Sequence, residues 1–298
     1  MKLTFLGTGT SQGVPVIACR CAVCRSSDPR DNRLRTSALL QIENRELRIE
    51  NPADTDNNSQ FSIHNSQFTN ILFDIGPDFR QQMLRHNVDH LDAILITHAH
   101  RDHVGGLDDI RSFNYVQNRK MDIYLNAEAR LAIERDYHYI FEPHQFPGLP
   151  EAELHQVSSE FGVRSSEFPG AAALTPNSEL LTPNSPQIKV VPIKAMHKDL
   201  PILGYRISSM AYITDANYIA PEEMEKLKGV RVLVINALRQ KKHFSHYCLP
   251  EALEVIRQVA PERAYITHIS HEMGFHADVQ PTLPPGVFLA YDGLQITI

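Results

Sequence analysis

No run of about 18 apolar residues occurs in this chain of 298 residues, which argues against an ordinary membrane-spanning helix. The opening residues Met1-Lys2-Leu3-Thr4-Phe5-Leu6 pass straight into a strand pattern with no signal peptide, so a cytoplasmic location is expected. Positive charge is also scarce. With 29 Lys and Arg against 35 Asp and Glu, the formal net charge is −6. That balance gives no general attraction to nucleic acid or to an anionic membrane, so an anionic substrate must be held by local groups. Cysteine is limited to four residues. A reducing compartment keeps them from forming disulfides, so they need another explanation. What the chain does have is 42% hydrophobic residues, enough for a large core, and a single domain over 1–298 is expected.

The densest chemistry lies in the middle. Ala93-Ile94-Leu95-Ile96 reads as a buried strand, and after it come His98, His100, Asp102 and His103. The Gly105-Gly106 pair then leads into a helix expected from Leu107 to about Val116. If the strand stays extended, side-chain alternation puts His98 and His100 on one face, while Asp102 and His103 emerge as the chain turns. Four imidazole and carboxylate ligands in six residues suit zinc, manganese or iron, and favour two adjacent ions over one. Taken singly each has a plainer reading: a hydrogen-bonded His, or a helix cap at Asp102.

The other candidates sit where strand patterns run out. Asp74 follows Ile71-Leu72-Phe73 and is either a turn residue or a group that orients a ligating His. His197 follows the 188–193 strand, Asp215 ends the 211–215 strand, His243 and His246 follow 231–236, and His268 and His271 follow 263–267. Strand ends gathered on one sheet edge are where α/β proteins build sites. Near the N-terminus, Cys19, Cys21 and Cys24 look like three of four ligands for a tetrahedral zinc, with a Cys21–Cys24 redox pair or buried free thiols as the alternatives. Cys248 reads as a small apolar filler. The loop Gly7 to Pro15 either offers amides to an anion or is simply a tight turn that needs glycine. Two Asn-, Ser- and Pro-rich stretches, about 51–70 and 156–186, contain short tandem copies and read as expanded loops without function. A strand at 36–42 is expected to pair with 46–50, and the 141–149 stretch reads as a loop able to line a pocket mouth.

The H-x-H-x-D-H segment resembles the signature of the metallo-β-lactamase superfamily, and His197, Asp215 and His268 follow in that superfamily's order. The resemblance implies an αββα sandwich, two mixed β-sheets face to face with helices outside. It also implies two divalent ions, zinc or manganese. His98, His100 and His197 would hold one, Asp102, His103 and His268 the other, and Asp215 would bridge them. The Cys cluster together with His271 is similar to the phosphoribosyl cyclic phosphodiesterases of bacterial phosphonate breakdown. That likeness implies a separate structural zinc on Cys19, Cys21, Cys24 and His271, and a general acid at His246, with His243 as the alternative. The expected activity is metal-dependent hydrolysis of a small cyclic or nucleotide-like phosphodiester, with Asp102 and His246 as catalytic residues. A small phosphodiester is the expected partner; a homodimer stays open, a membrane is not expected and nucleic acid is disfavoured. The rivals are an RNA-processing nuclease, a thioester or lactone hydrolase of the same fold, and an inactive zinc-stabilised binding module.

Overall fold

Strand runs that are apolar on both faces must be covered on both faces, and the fold does this with two stacked sheets and outer helices. In a computed structural model of the protein, residues 1–43, 68–142, 148–164 and 187–298 are described. The strands are β1 (Lys2–Gly7), β2 (Ser37–Glu43), β3 (Phe68–Phe73), β4 (Ala93–Leu95), β5 (Met121–Leu125), β6 (Ala152–Gln156), β7 (Phe161–Arg164) and β8 (Gln187–His197). They continue with β9 (Leu200–Ile207), β10 (Met210–Ile213), β11 (Tyr218–Ile219), β12 (Val232–Asn236), β13 (Arg263–Thr267), β14 (Val287–Leu289) and β15 (Gln295–Thr297). One sheet runs β15-β1-β2-β3-β4-β5-β6; the other runs β11-β8-β9-β10-β12-β13-β14, with β7 paired to β8. Both are mixed.

Alternation along β3 shows how the layers are filled. Ile71 and Phe73 point between the sheets, where Phe73 stacks on Tyr212 at 4.5 Å between ring centres. Leu72, between them, points outward with Phe79 and Met83 of the Phe79–His86 helix. On the far side, Ala211, Ile213, Leu233 and Ile235 meet Ala252, Val255 and Ile256 of the Leu249–Val259 helix. Each fully buried Val, Leu or Ile is worth about 1.5–3 kcal/mol relative to exposure, so these three layers carry the stability. The αββα sandwich is therefore the observed fold.

Several boundaries differ from the sequence expectation. Residues 68–70, placed in the first insert, open β3; β2 pairs with β3, Glu43 opposite Phe68, and the partner expected at 46–50 lies outside the described residues. The second insert was drawn too wide, because Gln156 ends β6 and β7 occupies 161–164. Most of the tandem copies, and residues 143–147 of the stretch read as a pocket-mouth loop, lie outside the described residues. The first helical turn after β4 is Arg101–Val104, ahead of the glycine pair, and Arg111–Gln117 follows a 3-10 turn. β14 and β15 extend the sheets beyond the last expected strand. Among the described residues, no helix is long and apolar enough to cross a membrane.

Candidate metal centre

Parallel pairing aligns the strand ends. β3, β4 and β5 run parallel in one sheet, as do β10, β12 and β13 in the other. The residues just beyond β3, β4, β10 and β13 thus meet at one rim, joined there by the end of antiparallel β8. Three of them, Asp74 (φ +58), Asp215 (φ +61) and His268 (φ +54), adopt the left-handed conformation, which for non-glycine residues costs about 1–3 kcal/mol and needs support from its surroundings. His268 gets that support from the glycine-rich loop. Ile269 N donates to Thr8 O at 2.8 Å, and Thr10 N donates to Ile269 O at 3.2 Å. The amides of Gly9, Gly13 and Val14 likewise donate to backbone carbonyls, so this loop braces the chain that carries His268. Gly76 is needed for the same close packing: a Cβ there would lie 2.2 Å from Asp102 O.

The rim brings together all seven residues expected at the main site. The candidate ligand atoms of His98, His100 and His197 lie within 4.8 Å of one another, as do those of Asp102, His103, Asp215 and His268. Asp215 also groups with His197 and His246 within the same limit, so the two sets are adjacent. The imidazoles are fixed from behind. His103 Nδ1 donates to Asp74 Oδ2 at 2.7 Å, His197 Nδ1 donates to Ser245 O at 2.7 Å, and His98 Nδ1 lies 3.0 Å from the Thr97 hydroxyl, which also bonds Asp74. Asp74 thus orients a candidate ligand and is more than a turn residue. Thr97 and the Ser245 carbonyl were not singled out in the sequence, because nothing in their spacing says they face an imidazole.

The electrostatics show what the cluster requires. With Nδ1 of His103 committed to Asp74, its Nε2 faces Asp102 Oδ2 and Asp215 Oδ2, each at 3.2 Å, and His268 Nε2 faces Asp215 Oδ1 at 3.1 Å. Neither Nε2 has a hydrogen-bond partner. Buried lone pairs turned toward buried carboxylates are costly unless positive charge lies between them. Burial acts against a charged His103, yet Asp215, Asp102 and Asp74 hold its imidazolium well above the ordinary range. Burial likewise acts against charge on Asp102 and Asp215, but His103 beside Asp102, and His268 and His103 beside Asp215, pull both carboxyls well below theirs. Burial pushes His98 well down, and also His100, which is exposed at the mouth of the group. Carboxylates facing borderline imidazoles, with cation-demanding geometry, fit zinc or manganese.

His246 stands beside this set, with its Nδ1 3.5 Å from Asp215 Oδ1 and its ring 4.9 Å from His268 and 4.5 Å from His197. Burial, then His268, pushes its imidazole down to about 3. His243 is one ring further out, 5.3 Å from His246. The second expected group also assembles. His271 Nδ1 is 3.4 Å from each of Cys19 Sγ, Cys21 Sγ and Cys24 Sγ. A tetrahedral zinc with bonds of about 2.3 Å to sulfur and 2.0 Å to nitrogen sets such edges at about 3.5 Å. The backbone amide of Cys24 draws the Cys21 thiol down to about 6, whereas burial pushes Cys24 up to about 11. Cys248 caps the Leu249–Val259 helix with Glu251 and is more than filler. One further group, Asp122, Glu153 and His155, arises only from β5–β6 register, and Asp122 is already paired to Arg119 at 2.9 Å and His155 at 2.6 Å.

Known proteins share this fold. A solved diphosphatase of the PhnP family is 33% identical, with a TM-score of 0.77 over 99% of this chain and 96% of that one. An octanoyltransferase of Porphyromonas gingivalis (strain ATCC BAA-308 / W83) is 36% identical over all of this chain, which spans about half (52%) of that protein. Human tRNase Z, short form, shares the fold at 17% identity, with a TM-score of 0.58 over 100% of this chain and 99% of that one. The profile of the β-lactamase superfamily domain matches residues 69–269, from β3 to just past His268. The chain therefore belongs to the metallo-β-lactamase superfamily of hydrolases, and within it is similar to the PhnP family.

Proposed function

We propose that this protein hydrolyses a small phosphodiester or a related phosphoanhydride, using two divalent cations. The observation that carries the reading is Asp215, which groups with His103, Asp102 and His268 on one side and with His197 on the other. His98, His100 and His197 would hold one cation, Asp102, His103 and His268 the other, and Asp215 both. When bound, two such ions polarise a phosphoryl group and bring the ionisation of a water toward neutral pH. The chain's own residues do the rest. Asp74, Thr97 and the Ser245 carbonyl keep the imidazoles in the tautomers that turn their free nitrogens inward. His246 donates a proton to the leaving oxygen. An anionic phosphoryl group beside it favours the protonated form that this role needs, since opposite charge stabilises an imidazolium. Cys19, Cys21, Cys24 and His271 would hold a third ion, a structural zinc. The likeness to a PhnP-family diphosphatase supports phosphoryl chemistry.

Elemental analysis of purified protein, paired with hydrolysis of bis(p-nitrophenyl) phosphate with and without manganese, tests this. About three metals per chain with metal-dependent activity are expected from the two ligand sets and the zinc group. His246→Ala is expected to cut turnover about 10²–10⁴-fold at unchanged metal content, and unchanged turnover refutes its role. One observation favours a second reading, acyl thioester hydrolysis: the 36%-identical relative is an octanoyltransferase. An octanoyl thioester tested beside the phosphodiester separates the two.

A further inference from the structure

At the lip of the clustered histidines, Phe244 is 71% exposed, yet the backbone beneath it is fixed. The Asn217 side chain donates to Phe244 O at 3.2 Å and accepts from Lys198 N at 2.8 Å, while the neighbouring Ser245 O accepts from His197. Lys198 directly follows His197 in the two-residue turn between β8 and β9, held at φ +56. Its Nζ lies 5.9 Å from the Phe244 ring centre, the outer limit of a cation–π contact. Its other neighbour, Asp199 at 3.4 Å, makes an exposed ion pair of the kind worth little. A lone exposed aromatic needs no explanation, but one on a braced backbone beside a loosely held ammonium is a preorganised contact.

Distance connects this pair to the site. Phe244 is 4.4 Å from the His243 ring, and His243 is 5.3 Å from His246, so two ring steps separate the exposed aromatic from the proposed proton donor. A phosphate held at the histidines whose sugar extends outward would place a flat base over Phe244. Although the chain is acidic overall, Lys241 and Lys242, both exposed, directly precede His243, with Lys242 3.8 Å from Glu251. We propose that Phe244 and Lys198 form a recognition rim for a nucleotide, with the base stacked on Phe244 and Lys198 shifting from the ring to the non-reacting phosphate. The inference rests on the phosphoryl-hydrolase reading and narrows its substrate class to phosphodiesters or diphosphates that carry a base.

AMP and ribose 5-phosphate share one sugar phosphate and differ by the base, which makes them the probes. The sequence has no tryptophan, so Phe244→Trp introduces a single tryptophan, excited apart from the tyrosines at long wavelength, at the proposed stacking position. On metal-loaded protein, AMP is expected to quench that emission and ribose 5-phosphate to leave it unchanged. By calorimetry the native protein is expected to bind AMP about tenfold more tightly than ribose 5-phosphate, the order base stacking supplies. Phe244→Ala should abolish the preference, and Lys198→Ala should weaken ADP, which carries a second phosphate, several-fold while leaving AMP unchanged; an unchanged ADP affinity overturns the role of Lys198. Equal affinities in the native protein, or a preference that survives in Phe244→Ala, overturn the proposal. Activity on bis(p-nitrophenyl) phosphate, read on the same preparation, separates the two levels. Activity without an AMP preference overturns the rim alone; an AMP preference without activity supports the rim and overturns the hydrolytic reading.

Discussion

Asp74 is fully buried and takes its place behind the imidazoles, where it accepts from His103 Nδ1, Thr97 N and the Thr97 hydroxyl. Because it sets the direction of a candidate ligand, Asp74→Asn is expected to weaken metal binding about 10–100-fold. Competition against a chromogenic chelator measures this, and unchanged affinity would count against the orienting role. A second residue-scale effect lies away from the metals. Burial, then Arg33 and Arg30, pushes the His276 imidazole from 6.5 down to about 4, while Asp28 and Asp31 pull weakly the other way. As pH falls through 6.5 the unfolded chain takes up the proton first, so stability present above 6.5 is lost down to about 4. His276→Gln should flatten that acid limb, read as the change with pH of the difference in urea midpoints between native and variant protein.

At the scale of elements, the turns Val23–Arg25 and His271–Met273 have three residues each, too few to hold themselves together. A zinc ion on Cys19, Cys21, Cys24 and His271 would fasten the two across almost the whole chain. Loss of one ligand is expected to release the ion and both turns. Cys21→Ser should remove one zinc per chain and lower Tm by about 5 °C, with diesterase activity kept in the folded fraction. Elemental analysis beside a thermal melt checks it, and full zinc retention refutes the site. The glycine-rich loop is the contrasting element: Thr10 N and the Thr8 carbonyl hold it against Ile269, which carries His268 into place, while Gly9 and Val14 N tie it to Leu34 and Arg33.

For the whole molecule, the rim is a place where folding gathers buried lone pairs and carboxylates that repel without a cation. Any ion that binds only the folded chain stabilises it by mass action, about 4 kcal/mol at a thousandfold excess over Kd. Dialysis against a strong chelator is therefore expected to lower Tm by about 10 °C, and zinc or manganese to restore it. Calorimetry should show one transition in both states, since Phe73, Tyr205 and Tyr212 tie the two sheets through one shared layer. A Tm indifferent to chelation would mean that the cluster is satisfied by protons alone.

Local spacing was enough to find His98, His100, Asp102 and His103, because a strand, its end and the turn after it are set by neighbouring residues. The long aliphatic strands could be read for the same reason. β6, β7, β11, β14 and β15, at two to five residues each, carry too little periodicity to be seen without the partners they pair with. Tertiary structure alone decided that Asp215 stands between the two histidine sets, that the Ser245 carbonyl fixes the His197 tautomer, and that Phe244 and Lys198 share a lip. Those contacts join residues from about 20 to 120 positions apart through sheet register, which the alternating pattern of one strand fixes only against a partner strand that the local chain does not name.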